Sequence, residues 1–256
     1  MAPGAELPFR CIITPDFRTL YHSCGSVGRT AEGSSWSIRE MKGSEICRLL
    51  KTLGLPISDQ QADQFEIFLA LLLRWNDRLN LTAVRDSEEI VTRHFAESIQ
   101  CSRAVPAEAR TLLDYGSGAG FPGVPCAICL PEVRCTLSES QQKKAAFLQE
   151  VARKLELNAT VHAGRVETLP PSLRFDAVTL RAVDRMEVAC RDAVGRVNPG
   201  GSLLVMGGES LLDRLERLES VSERVFWSVS WSKRQLLSGS SSRFLQLGKR
   251  LDRRQP

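Results

Sequence analysis

The chain is predicted to be an α/β protein, a mostly parallel, doubly wound sheet preceded by a small helical cap. Three observations predict it. After Pro106 short apolar runs alternate with helical patterns, the order that builds a parallel sheet through crossover helices. Before Pro106, from Ser44 to Ser102, apolar residues recur at helical spacing. Between the two lies Leu112–Gly123, LLDYGSGAGFPG, where an apolar run ends in Asp114 and glycines follow at Gly116, Gly118 and Gly120. A buried strand hands over to a tight turn and then a helix in this way.

The elements follow in order. Residues 1–40 lack sustained periodicity and scatter Gly, Ser, Thr and Pro, so they are expected to be a disordered extension, with Met41 as an alternative start. The cap, 41–108, opens with Ile46, Leu49, Leu50 and Leu53 on one helix, which Gly54 ends before Pro56. Ser58 with Gln61 forms a capping box for a second helix, whose wide apolar face carries Phe65, Phe68, Leu69, Leu72 and Leu73. A third helix is expected over about Ser87–Ser102. The domain at 109–256 has strand candidates at Thr111–Asp114, Arg134–Ser138, Thr160–Ala163, Asp176–Leu180 and Ser202–Met206. Helices are expected at about Pro122–Leu130, Gln141–Leu155, Glu187–Val197 and Ser210–Leu218, with Asn198–Gly201 as the turn into the fifth strand. Arg224–Leu236 and Arg243–Leu247, joined by the turn Gly239–Ser242, read as a closing antiparallel hairpin.

Composition narrows the function classes. The 256 residues carry a net charge of +4, which permits a polyanionic partner without demanding one. No apolar run is long enough to span a membrane. Among eight cysteines, Cys126, Cys129 and Cys135 begin a C-x-x-C pattern, but no fourth ligand follows closely. Cys126 and Cys129 lie one turn apart on a predicted helix, so packing is expected there and no metal site.

The glycine loop points to a nucleotide-like ligand. A dinucleotide fingerprint needs glycine where Phe121 stands, which counts against a nicotinamide-dependent oxidoreductase, and no G-K-[ST] follows for a P-loop. D-x-G-x-G-x-G, from Asp114 to Gly120, is instead the first motif of class I S-adenosylmethionine (SAM) methyltransferases, a Rossmann-like class. Pro122 is expected at the helix start, leaving free N–H groups pointing into the turn. Glu139 ends the second strand, where its carboxylate can accept from both ribose hydroxyls; the alternative is an acid favoured by the helix dipole. Arg165, Val166 and Glu167, after the third strand, are placed to read an adenine edge, or to form an ordinary polar loop. Arg181 ends the fourth strand, where open α/β sheets bind ligands. The amino-methylating [DNS]-P-P-[YF] is replaced there by Leu180-Arg181-Ala182-Val183.

The segments LLLRWNDRLNLTAVRDSEEIVTRHFAES, LLDYGSGAGFPG, LSESQQKKAAFL, GRVE and LRAV together resemble the bacterial small-subunit rRNA guanine-N7 methyltransferases, also called glucose-inhibited division protein B. The resemblance covers about Ser44–Leu247. It implies a class I fold with a helical cap and a C-terminal antiparallel hairpin, SAM as methyl donor, and a guanine of 16S rRNA as target in the small ribosomal subunit. A cytoplasmic monomer with no membrane partner is expected. It carries SAM contacts onto Gly116, Phe121, Val166, Glu167 and Arg181, the last also the candidate catalytic residue. Asp114, Gly118, Gly120 and Glu139 complete the expected cofactor set. Trp75, Asn76, Asn80 and His94 would pack the cap over the site, with His94 a hydrogen-bonded structural histidine. Two positions depart from the family pattern: Met206 replaces a lysine, and Glu97 stands where Asp is commoner. Arg181, Arg185 or Arg165 would then supply the missing positive field. A protein of this fold that binds SAM or rRNA without turnover is the other reading the sequence leaves open.

Overall fold

The computed structural model describes residues 41–183, 185–218 and 227–252. The predicted extension at 1–40, and the part of the predicted late strand at 224–226, lie outside the described residues.

Four helical segments come first: α1 (Gly43–Thr52), α2 (Asp59–Leu79), α3 (Ser87–Glu89) and α4 (Ala96–Arg103), with a π-helical stretch, Ile90–Phe95, joining α3 to α4. The capping box forms as the sequence predicts: Ser58 Oγ accepts from Gln61 N–H at 3.2 Å, and Gln61 Oε1 accepts from Ser58 N–H at 2.9 Å. At the other end Asn80 adopts the left-handed conformation and stops α2.

The sheet order is β3-β2-β1-β4-β5-β8-β6, with β7 paired to β8. Its parallel part comprises β1 (Thr111–Tyr115), β2 (Arg134–Ser138), β3 (Ala159–His162), β4 (Phe175–Arg181) and β5 (Val197–Gly208). The crossovers carry α5 (Gly123–Cys129), α6 (Gln142–Lys154) and α7 (Met186–Arg196), and α8 (Glu209–Leu218) follows β5. The antiparallel end is β6 (Trp227–Trp231), β7 (Gln235–Leu236) and β8 (Arg243–Asp252).

Strand periodicity divides the core. Leu113, Val178, Leu203 and Val205 face α7 and α8, while Leu112, Ala177, Leu204 and Met206 face the opposite side, where α4 and α5 lie. The cap is not a detached lobe. Phe65, Phe68 and Phe95 from the cap share one cluster with Phe121 of the glycine loop and Phe147 of α6. Ring centroids lie 5.4 Å apart for Phe68–Phe95, 5.4 Å for Phe68–Phe121 and 6.5 Å for Phe68–Phe147. Cys101, Cys126 and Cys135 are buried together under β1, so these three thiols pack as apolar side chains.

Three local expectations need correction. Asn198–Gly201 is not a turn before the fifth strand but an irregularity inside it. β4 advances from Phe175 to Ala177 while β5 advances from Val197 to Ser202, and the extra residues bulge out with Gly200 at φ 73°. The single late strand is two: β6 pairs with Gly248–Asp252 and β7 with Phe244–Leu245, with Ser232–Arg234 between them. Pro122 is the cap of α5 rather than its first residue, and the N–H groups behind it are already taken. Gly123 N–H donates to Asp114 Oδ2 at 3.1 Å and Val124 N–H to Gly120 O at 2.8 Å. That helix start braces the glycine loop and leaves no donors there for a ligand.

Candidate active site

The carboxyl ends of β1, β2, β4 and β5 open onto two cavities that meet at the glycine loop. The larger, about 690 Å³, is walled by His94, Glu97, Phe121, Arg181, Met206 and Arg243. The smaller, about 290 Å³, is walled by Tyr115, Glu139, Arg165, Val166, Glu167 and Arg185. Gly116, Gly118, Lys144, Ala182 and Val183 border both. Their volumes together fall within the range of small-molecule sites, about 300–1,000 Å³.

The loop between them has Gly116 at φ 73°, Gly118 at φ 55° and Gly120 at φ 90°. A Cβ at Gly118 would find no atom of the chain closer than 3.9 Å, so the space it faces is left for something else. Gly120 differs. A Cβ there would lie 2.8 Å from Val124, 3.3 Å from Leu148 and 3.3 Å from Phe68, so that glycine serves core packing and is off the cavity wall.

Asp114 also stands behind the loop. Its Oδ1 accepts from Thr179 Oγ1 at 2.8 Å and its Oδ2 from Gly123 N–H, and the residue is 1% exposed. Burial pushes its pKa up to about 6 against the pull of Thr179, Ser117 and Gly123. Its place is that of a residue holding the loop to the sheet and the helix. Glu139 braces both the loop and the start of α6. Oε2 accepts from Gly118 N–H at 2.9 Å, Oε1 accepts from Gln141 N–H at 2.7 Å where α6 begins, and the carboxylate still borders the smaller cavity. Each oxygen keeps a lone pair for a hydroxyl. Val166 begins a single helical turn, Val166–Thr168, whose carbonyl is gripped by Arg196 at 3.1 Å, while Glu167 is exposed at the rim.

Arg181 sits at the centre of the larger cavity's wall. Its Nη2 donates to His94 Nδ1 at 2.7 Å and pairs with Glu97 Oε2 at 2.8 Å. Its Cζ lies 5.7 Å from the Phe121 ring centroid, within cation–π range. Its Nη1 is enclosed and has no hydrogen-bond partner among the described residues. Glu97 is 0% exposed and also pairs with Arg243, which reaches across from the start of β8. Burial raises the Glu97 pKa against Arg181, Arg243 and Arg93, and burial likewise lowers that of Arg181.

His94 is held in one tautomer. Arginine only donates, so Nδ1 must accept, and Nε2 is left to donate to Thr82 Oγ1 at 3.2 Å. Burial and the Arg181 charge together bring its pKa down to about 3. The native protein therefore binds fewer protons than the unfolded chain between about pH 3 and pH 6.5. The stabilisation from neutral His94 is complete above that window and is lost as pH falls through it. In an NMR titration the His94 ring is expected to stay neutral below pH 5; titration near 6.5 would place it outside this network.

The other cap residues are placed unevenly. Asn76 holds Thr82 through its N–H at 2.9 Å and its carbonyl at 3.0 Å, and Thr82 in turn contacts His94 at the cavity. Trp75 donates to Glu150 at 2.8 Å and packs on Phe147, so it anchors the cap to α6 away from the cavity. Asn80 terminates α2 and accepts from Arg85 at 3.0 Å. Met206 is 2% exposed, in register between Arg181 on β4 and Leu245 on β8. Of the cations expected to supply a field, Arg181 lines the larger cavity, whereas Arg165 and Arg185 line the smaller. The sequence reading missed Arg243 and Arg196. Arg243 opens an alternating strand and looks like an ordinary strand terminus. Arg196 looks like a basic helix end, yet it bonds the carbonyls of Val166 and Pro170 and so shapes the smaller cavity.

A parallel sheet closed by an antiparallel hairpin, with two joined cavities over a glycine loop, defines a class I SAM-dependent methyltransferase fold. The O-methyltransferase of Bacillus cereus solved with SAH shares it at a TM-score of 0.53 and 16% identity, over 80% of this chain and 96% of that one. The O-methyltransferase TomG of Streptomyces achromogenes, solved with SAM, does so at 0.50 and 14%, over 71% and 89%. The family model for rRNA small subunit methyltransferase G (GidB) matches residues 61–230, and the chain belongs to that family. Its relatives include Ribosomal RNA small subunit methyltransferase G of Streptococcus pneumoniae serotype 4, 37% identical over 74% of this chain and 83% of the relative. That of Stutzerimonas stutzeri is 40% identical over 71% and 85%.

Proposed function

We propose that the chain transfers the methyl group of SAM to N7 of a guanine in 16S rRNA of the small ribosomal subunit. The observation that carries this reading is the meeting of two cavities across Gly116 and Gly118, with Arg181 on the wall of the larger one. The residues present suit SAM. Glu139 would accept from the ribose hydroxyls, Val166 and Glu167 would meet the adenine edge, and Gly118 would let the backbone approach the ligand. Arg181 would hold either the methionine carboxylate or guanine O6, with Phe121 packed beside it. The bound group supplies a methyl carbon activated on a sulfonium.

Guanine N7 carries an in-plane lone pair and no proton, so its methylation needs no general base. The larger cavity matches that demand. Its imidazole, His94, has Nδ1 covered by Arg181, and its carboxylate, Glu97, is paired to two arginines. What the walls provide is in-line placement of acceptor and donor, a proximity effect. Residues 109–256 would form the catalytic domain and 41–108 the cap that supplies His94 and Glu97. We place the protein in the cytoplasm as a monomer. No described helix is long and apolar enough to cross a membrane. The exposed large apolar side chains among the described residues, Ile67, Leu173, Val188, Leu236 and Leu251, are spread over different elements.

Tritium transfer from labelled SAM to unmethylated small subunits tests the proposal. Label is expected in 7-methylguanosine after nucleoside digestion. Label in another nucleoside, or none, overturns it.

A further inference from the structure

Beside the larger cavity lies a hollow of about 450 Å³ between the π-helical stretch and the Gly239–Ser242 turn. Arg93 and Arg243 border both spaces. The hollow is built from fixed parts. Gln100 of α4 accepts from the backbone N–H and the hydroxyl of Ser238, at 2.8 and 3.1 Å, and donates to Leu236 O at 2.9 Å. Gly239, at φ 71°, lets the turn press against the helix: a Cβ there would lie 3.0 Å from Thr92 O. Ser240 Oγ closes the turn by accepting from Ser242 N–H at 3.3 Å and Arg243 N–H at 3.0 Å. Ser241 and Ser242 remain exposed at the mouth.

The charges favour an anion. Glu89 occupies Nη1 of Arg93 at 3.1 Å, and Glu97 holds Arg243 from behind. Across the hollow and the adjoining wall, the three guanidiniums of Arg93, Arg181 and Arg243 face the two carboxylates of Glu89 and Glu97, an excess of positive charge. Guanidiniums and serine hydroxyls arranged around a pocket are donors of the kind that grip phosphate oxygens.

We infer that this hollow is a backbone subsite, in which Arg93, Arg243 and the serine turn hold a phosphodiester next to the guanosine whose base enters the larger cavity. The inference rests on the rRNA methyltransferase reading. A nucleotide cannot place its base in one space without its sugar-phosphate leaving by a neighbouring one, and this opening shares two cations with the base's cavity. Phosphate contacts of this sort fix register and carry no sequence information.

Charge changes at the exposed turn test it in the full chain. Ser241→Asp is expected to raise the KM for unmethylated small subunits about tenfold, with kcat far less affected, and Ser241→Lys to lower it. Arg93→Gln is expected to weaken subunit binding and to reduce the slope of log affinity against log salt by about one. Melting temperature and S-adenosylhomocysteine affinity, measured by calorimetry, serve as controls for folding and the cofactor site. Folded variants with unchanged KM and salt slope overturn the subsite. A wild-type chain that transfers no methyl group to small subunits overturns instead the reading beneath it. Opposite shifts from Asp and Lys at one position support the subsite, since a purely structural role would not follow the sign of the charge.

Discussion

Gly118→Val is expected to weaken SAM binding by at least about 100-fold, a loss of about 2.7 kcal/mol, while the chain still folds. Two effects combine. At φ 55° a β-branched residue is strained, at a cost of about 1–2 kcal/mol. The new side chain also projects where the nearest chain atom is 3.9 Å away, into the space between the two cavities. Displacing the loop to relieve either effect would break the Gly118 N–H to Glu139 bond and shift the proposed ribose acceptor. Calorimetric titration of the variant with SAM, alongside its thermal melt, gives the answer. Wild-type affinity in a folded variant would remove the ligand from this loop.

Glu97→Ala is expected to destabilise the protein by about 3–5 kcal/mol, because two guanidiniums then share a largely buried space without their carboxylate. For a chain of this length that lowers the melting temperature by roughly 10 °C. The loss reaches the site as well. Arg181 would keep His94 as its hydrogen-bond acceptor but lose the charge that fixes its second contact. SAM affinity and methyl transfer should therefore fall together with stability. Glu97→Gln, which keeps the shape and loses the charge, should fall between the two. A melting temperature within a degree of wild type for Glu97→Ala would show that the arginines find solvent and that the cluster is not a buried one.

Much of this architecture is legible in the sequence because it depends on local patterns. β2 occupies the predicted Arg134–Ser138, since a five-residue alternation bounded by polar turns has few other ways to fold. The Ser58 capping box and the positive-φ glycines at Gly116, Gly118 and Gly120 were readable for the same reason. What could not be read depends on partners far away in sequence. The bulge at Asn198–Gly201 exists because Val197 pairs back onto Phe175, a contact no local rule contains. Asp114 looked like a ligand contact from its place in the motif, yet Thr179, 65 residues on, and Gly123 claim its two oxygens. Arg243 reaches the site only because β8 inserts between β5 and β6, which brings the start of β8 to the carboxyl end of β5 beside Gly208. Lone arginines in a basic chain give no signal of such convergence.

The stack of aromatic rings from Phe65 to Phe147 bears on how molecules reach and leave the catalytic centre. Phe121 belongs to the glycine loop and to the interior of the cap at once. Swinging the helices outward like a lid would expose several rings together, so no inexpensive hinge exists at that seam. Entry and release are then expected by a route other than a hinge of the cap. Hydrogen exchange in α2 and β1 would then report one cooperative unit rather than two. The helical segment is not an exchangeable cassette either: a chimaera taking it from a distant relative would need matching partners for Phe121 and Phe147 before any ligand site could form.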